Sequence, residues 1–355
     1  MKSPCSLLFK QASSGFFAKI ISAGVAFLVS GLLARIINMF YRDKVHPVKD
    51  AYCPSCHSEH VACIGKIPAG GSFAGRVLEQ TISGGYLFRC KSCQLYFRYP
   101  KLPTQKLEEL YRLAVKGIWS STFTERVDWV IASQWIGGDH ESGDVLDIGC
   151  NDGVFLTGLG GEYSRYGIEL NVNSAKRAEE RGVNIIGQHF EDIIKQASRG
   201  FDVITAFDVI EHVDDPYIFM KLITDKLNLG GEIIISTGNT ASKTWTFMGS
   251  KYWYCHIPEH ITFINPGWVN GAAHKLGLRV VDMTFFSHSR ASMLVKVSEV
   301  FKNLMYMYFP FLAGWLRTKG FGGVNVTNHP ELVDQPPGWI SAKDHIIIRL
   351  QKKTS

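Results

Sequence analysis

The sequence predicts an α/β domain built on a mainly parallel sheet, preceded by a four-cysteine module and an apolar N-terminal helix. Three observations predict it. Apolar strand-like runs alternate with helical stretches from residue 145 onward. The run Val145–Leu156 takes a buried strand into an acid and a glycine-punctuated turn that opens a helix. Four of the eight cysteines fall in two Cys-x-x-Cys pairs. At 355 residues and 46% hydrophobic, the chain can build one full core with smaller appendages. Its formal charge of +6 is spread without a Lys/Arg block, so a nucleic-acid scaffold is not indicated; an anionic substrate or membrane surface stays compatible.

In chain order, residues 1–46 carry the strongest apolar stretch, 16–40, with only about 15 residues between Lys19 and Arg35. Basic residues flank it and no small-residue cleavage site follows, which argues against a removed signal peptide. A short membrane anchor, a helix lying in the interface and a helix buried against the rest of the protein remain open. The remaining domains are expected in the cytoplasm, or at the cytoplasmic face of a membrane.

Residues 47–100 hold Cys53/Cys56 and Cys90/Cys93. Two such knuckles complete a closed tetrahedral thiolate site, so structural Zn2+ is expected, stapling a domain with little core. Roughly 33 residues separate the knuckles, enough for a hairpin or loop of their own, with Gly70-Gly71 and Gly84-Gly85 as turn points. Cys5, Cys63, Cys150 and Cys255 match neither pair. Residues 101–140 read as a helical linker or lid, with Leu107, Leu110, Tyr111, Ala114 and Ile118 at helical spacing. Residues 141–355 then offer strands at Val145–Gly149, Tyr166–Glu169, Val183–Gly187, Phe201–Phe207, Glu232–Thr237, Leu278–Phe285 and His345–Leu350. An insertion, 287–344, precedes the last of these. Its run from Met293 to Trp315 suits a lid or core helix, or a second membrane-contacting surface, and Pro310 should end or kink it.

Gly149 and Gly153 let the turn approach a ligand, with helix N–H groups beyond. A second strand ends in Glu169, an acidic pair follows at Glu191-Asp192, and Phe201–Val213 carries Phe207-Asp208 and Ile-Glu-His-Val. In this order the motifs resemble class I S-adenosylmethionine-dependent methyltransferases, over roughly residues 140–290 plus the last strand. The resemblance implies a Rossmann-like, seven-stranded sheet. It also implies cofactor contacts from Asp147, Gly149, Cys150, Asn151 and Gly153 in the turn, Glu169 at the ribose hydroxyls, Asp192 at the adenine amino group, and Phe207 and Asp208 beside the sulfonium. Asn151 stands where the family usually has glycine, and the resulting Gly-x-Asn-Asp-Gly pattern resembles sugar-modifying members.

A hydroxyl acceptor needs a base within hydrogen-bond reach. The segment Tyr252–Phe263 contains Glu259-His260, which resembles the Glu-His segment of zinc-ribbon methyltransferases acting on sugars. That likeness makes His260 the first candidate base, with Glu259 assisting and His212 as second candidate. Tyr252, Trp253 and Tyr254 could face a sugar ring or fill a core. The four-cysteine module beside this core looks like the methyltransferases of surface-polysaccharide and deoxysugar pathways. It implies O-methylation of a sugar or lipid-linked glycan, with a quinone-pathway enzyme, a ribosomal-RNA enzyme or a non-catalytic binding protein as rivals.

Overall fold

The computed structural model describes residues 51–353 apart from 74–75, 104–105, 108–109, 111–121, 196–198, 288–290 and 322–332. The apolar segment 1–46, and Tyr111, Ala114 and Ile118 of the linker, lie outside the described residues. Among the described residues, no helix is long and apolar enough to cross a membrane.

The central sheet has seven strands: β6 (Ser142–Ile148), β7 (Glu162–Ile168), β8 (Asn184–Gly187), β9 (Phe201–Phe207), β10 (Leu227–Gly238), β12 (Leu278–Phe286) and β13 (His345–Lys352). Their spatial order is β12-β13-β10-β9-β6-β7-β8. β10, β9, β6, β7 and β8 run parallel, and β13 inserts antiparallel between β10 and β12. Ile204, Ile233, Ile235, Ile346 and Ile348 are fully buried, which explains why these strands read as near-continuous apolar runs. Because β6, β7 and β9 are in parallel register, their carboxyl ends share one edge of the sheet. Asp147 lies opposite Thr205, and Ile148 opposite Ile168. Helices cover the faces: α1 (Val127–Asp139), α2 (Val154–Gly158), α3 (Val172–Glu180) and α4 (Pro216–Asp225). Asp215 caps α4, its side chain accepting from the N–H groups of Tyr217 and Ile218, with Pro216 at the first turn.

The cysteine module is not a separate bead. Its sheet pairs β1 (Val61–Lys66), β4 (Tyr86–Cys90) and β5 (Tyr96–Tyr99), and a fourth strand, β11 (Thr262–Phe263), comes from beyond β10. Phe88, Leu95 and Phe97 share one buried cluster with Ile264, Trp268 and Val269. Trp268 donates to Ser55 Oγ at 3.0 Å, tying a knuckle to the helix α7 (Pro266–Lys275). A hairpin of β2 (Gly70–Phe73) and β3 (Arg76–Ile82) fills the span between knuckles. Of the two expected turn points, Gly84-Gly85 is one. A Cβ on Gly84 would lie 2.3 Å from the Ile67 carbonyl oxygen, and Gly85 has φ +68. Gly70-Gly71 instead belongs to β2, where a Cβ on Gly70 would strike Pro258 at 2.7 Å. That pair answers a close approach rather than a reversal.

The linker does not run as one helix to residue 138. It breaks at a short 3-10 turn, Phe123–Glu125, and the chain enters α1 from Arg126 in extended conformation. Leu110 packs on Phe73, beside Leu78 and Ile82 of the hairpin. In the insertion, α8 (Met293–Tyr308) ends where expected and α9 begins at Pro310, running to Thr318.

Candidate functional site

The turn after β6 has left-handed backbone at Gly149 (φ +76), Asn151 (φ +48) and Gly153 (φ +76). A Cβ on Gly149 would meet Val209 at 2.8 Å, so the turn is pressed against the loop after β9. Glu169, just past β7, spans the turn: its oxygens accept from Asn151 N (2.9 Å) and Asn171 N (2.7 Å). Burial raises its pKa, and those two N–H groups pull it back down. Asp147 is 3% exposed and accepts from Thr205 Oγ1, its cross-strand neighbour, at 2.6 Å. Burial pushes its carboxyl up to about 7, against that hydrogen bond.

Asp192 follows β8 and accepts from the N–H groups of Gln188 and His189 and from Lys195 Nζ at 2.6 Å. These donors, Lys195 first, hold its carboxyl well below the usual range. Phe207 ends β9 edge-on to Phe155 at 4.7 Å, within an aromatic group that includes Trp129 and Phe123. Asp208 takes φ +54 and accepts from Arg126 Nη2 at 2.8 Å. Arg126 also forks onto Asp128, which receives Ser236 Oγ at 2.7 Å. Arg126 has no counterpart in the sequence motifs. Its role depends on α1 starting beside the ends of β9 and β10, which no local pattern announces.

Cys150 is placed differently from a cofactor contact. Its thiol is 4% exposed, lies 2.5 Å from where a Gly167 Cβ would stand, and packs among Ala178 and Val183. Only its backbone, which donates to Ile168 O, belongs to the turn. The side chain is a small core residue.

Next to Asp208 is a second cluster. Glu211 is 1% exposed and accepts from the Tyr254 hydroxyl, and its carboxyl is pushed up to about 7 by burial and by Asp208. His212 Nδ1 faces the Glu259 carbonyl at 3.1 Å, and His260 Nδ1 faces the Tyr254 carbonyl at 3.1 Å. A carbonyl only accepts, so each Nδ1 carries the hydrogen and each Nε2 keeps its lone pair. The rings meet edge to face at 4.9 Å. Burial lowers the His212 pKa to about 4, while Asp208 pulls upward. His260 falls well below its ordinary value through burial and then the neighbouring His212, against the hydrogen bond to the Tyr254 carbonyl. His212 is partly buried, whereas His260 is 7% exposed. Glu211, His212 and His260 each offer a ligand atom within 4.8 Å of the others.

The segment after β10 is held from outside. Arg98 of β5, 3% exposed, donates to the carbonyls of His260 (3.1 Å), Ile257 (2.8 Å), Cys255 (2.5 Å) and Gly84 (2.9 Å). Burial lowers its pKa to about 10, still high enough to keep the charge at neutral pH. His256 Nε2 donates to the Ala69 carbonyl at 2.7 Å, tying the loop to the cysteine module. Tyr252 and Tyr254 are buried, at 0% and 3% exposed, and pack with Trp245 and Phe263. Tyr252 and Tyr254 therefore fill core, while Trp253 between them is only partly buried.

Cys53, Cys56, Cys90 and Cys93 bring their Sγ atoms within 4.8 Å of one another, with Cys53–Cys93 at 3.5 Å and Cys56–Cys90 at 3.6 Å. A tetrahedral thiolate site with bonds of ~2.3 Å needs sulfurs roughly 3.8 Å apart. His57 and Gln94, each following a knuckle, are left-handed.

Residues 130–283 match the family profile described as a methyltransferase domain. The chain carries a class I S-adenosylmethionine-dependent methyltransferase domain. That domain is 30% identical over 154 residues to a ubiquinone biosynthesis O-methyltransferase of Coxiella burnetii (strain Dugway 5J108-111), covering 39% of this chain and 65% of the relative. It is 28% identical over 161 residues to the enzyme of that name from Serratia proteamaculans (strain 568), covering 39% and 67%. A solved S-adenosylmethionine-dependent methyltransferase from Archaeoglobus fulgidus superposes with a TM-score of 0.43 at 19% identity, over 70% of this chain and all of that one. The matched part contains the turn, Asp147, Glu169, Asp192 and Asp208 and the His212–His260 pair, and excludes the cysteine module.

Proposed function

We propose that the protein transfers a methyl group from S-adenosylmethionine to a hydroxyl of a small or lipid-linked molecule. The observation that carries this reading is the edge itself: Asp147, Glu169 and Asp208 end three adjacent parallel strands around one left-handed turn, with the neutral His212 ring beside Asp208 and the His260 ring behind it. Such a donor set suits a ligand with an ammonium, a sulfonium and ribose hydroxyls. When bound, that ligand supplies the activated methyl group. Asp147 would hold its amino-acid end and Glu169 its ribose, while Asp192, near the end of β8, would face the base. Phe207 and Asp208, the latter fixed by Arg126, would flank the reacting centre.

We assign the proton acceptor to His212 Nε2. The Asp208 carboxylate favours its protonated form, and it is the more accessible ring of the pair. His260, first by sequence, backs that ring, and Glu259 orients it through its carbonyl. The four cysteines suit structural Zn2+, whose purpose would be to hold Arg98 and the loop it grips. Two acceptors fit. The module's resemblance favours a sugar hydroxyl, free or on a lipid-linked glycan. The relatives' names, together with the burial of Tyr252 and Tyr254, favour a phenol of quinone type.

The test is label transfer from radiolabelled S-adenosylmethionine to fractionated extract and to synthetic phenol and sugar acceptors. His212→Gln should lower kcat by about 100-fold or more with cofactor affinity kept, and His260→Gln by less. Undiminished turnover in His212→Gln would remove it from the mechanism, and cofactor binding without transfer to any fraction would sink the enzymatic reading.

A further inference from the structure

The helical pair α8–α9 has its polarity reversed. On α8 the buried face is Glu299, Asn303 and Tyr306, at spacings of four and three that put them on one side. On α9 the buried residue is Arg317. Most of these inward groups are partnered: Glu299 accepts from Ser341, the Asn303 amide nitrogen donates to the Glu299 and Gly338 carbonyls, Tyr306 to Asp334 O and Arg317 to Val333 O and Gln335 O, while Asn303 Oδ1 is buried without a hydrogen bond. The outward face carries Leu294 at 80% exposed, Val297 at 54%, Phe301 at 46%, Phe311 at 86% and Trp315 at 57%. Phe247, 39% exposed, extends it, its ring tilted against Tyr308 at 6.2 Å.

An ordinary surface helix turns its apolar stripe inward and its polar face to water. The apolar patch here is contiguous over two helices, whereas soluble monomers scatter such residues singly. Its charge also has one sign. Lys296 and Lys319 are exposed, and the only acid between Met293 and Phe321, Glu299, is buried facing the protein. Phe309, Phe311 and Trp315 bring aromatic rings suited to the headgroup boundary. A 16-residue helix is ~24 Å long, short of a ~30 Å hydrocarbon core, so α8 would lie along a surface and not through it.

We infer that α8 and α9 form a wedge that seats the protein on an anionic bilayer, with Leu294, Phe311 and Trp315 entering the acyl boundary and Lys296 and Lys319 meeting the headgroups.

The experiment uses the full chain with sedimenting vesicles of phosphatidylcholine, alone or with one part in three of phosphatidylglycerol. Wild type should partition onto the anionic vesicles. Leu294→Asp/Phe311→Asp/Trp315→Asp should lower that partition at least tenfold, with circular dichroism and cofactor affinity unchanged. Trp315 emission, taken as wild type minus Trp315→Phe, should shift to the blue on vesicles and be quenched by brominated acyl chains. Equal partition by the triple variant would overturn the inference, placing the contact elsewhere, residues 16–40 included. Absence of quenching at Trp315 would overturn it in wild type alone, whatever the variant's folding. Dimers dissolved by the triple substitution, with Trp315 silent to lipid, would assign the patch to a second copy instead.

Discussion

The turn at 149–153 and the loop at 252–261 both present groups to the same edge, yet they are held in opposite ways. The turn holds itself: its left-handed residues, its own N–H groups on Ile168 and Glu169, and the register of β6 on β7 are all encoded within about 20 residues. The loop has no such internal frame. Four carbonyls reach the buried Arg98, three of them from the loop, and β11 is clamped to β5 of the cysteine module. A motif that scaffolds itself is portable and recognisable. A segment scaffolded from elsewhere is only as stable as its clamp.

That contrast can be broken most severely at the cysteines. Cys90→Ser removes one of four thiolates from a site whose metal affinity, for structural zinc, is worth on the order of 10 kcal/mol. The expected outcome is about one zinc per chain in the wild type by metal analysis, little in the variant, and loss of protease resistance in the module. Zinc-free wild type with unaltered stability would detach the module from any metal.

The next effect is at Arg98. Arg98→Met leaves buried carbonyls without donors and should cost about 3–5 kcal/mol in urea unfolding. If the clamp serves the loop, turnover falls in the folded fraction while cofactor affinity, which belongs to the turn, stays put. Equal losses of both would erase the distinction between the two regions.

The smallest effect sharpens the self-held side. The Asp147 carboxyl has an ordinary pKa of 3.8 and is raised to about 7 in the fold. Between these values the native state keeps a proton that the unfolded chain has released. Its contribution to stability is full below pH ~4 and is lost as pH rises through about 7, by at most a few kcal/mol. Asp147→Asn should flatten that part of the stability profile, measured by urea denaturation at pH 4.5, 6 and 7.5. A wild-type profile already parallel to the variant's would mean that Asp147 is ionised throughout.

Much of this was legible in the linear chain. The alternation of apolar runs located the strands of the central sheet, because a strand covered on both faces needs little but Val, Ile and Leu. Gly149 and Gly153 announced the turn, since few residues tolerate φ +76. Cys150 shows how a residue inside a motif can have its backbone in the turn and its side chain in the core. Tyr252 and Tyr254 were ambiguous for a related reason: aromatics suit a binding face and a core equally well, and only packing separates the two.

The sequence by itself determined the parallel sheet, the acid-ended strands, the glycine turn and the pairing of four cysteines. Each rests on local stereochemistry or on the side-chain inventory of a short segment. Only the tertiary structure decided that Arg98 clamps carbonyls 157 to 162 positions away, that Arg126 locks Asp208, and that α8 turns Glu299 inward and Leu294 outward. Charges, unlike apolar stripes, do not declare their surroundings: whether one is solvated, buried or paired depends on which distant carbonyls and carboxylates the fold brings to it.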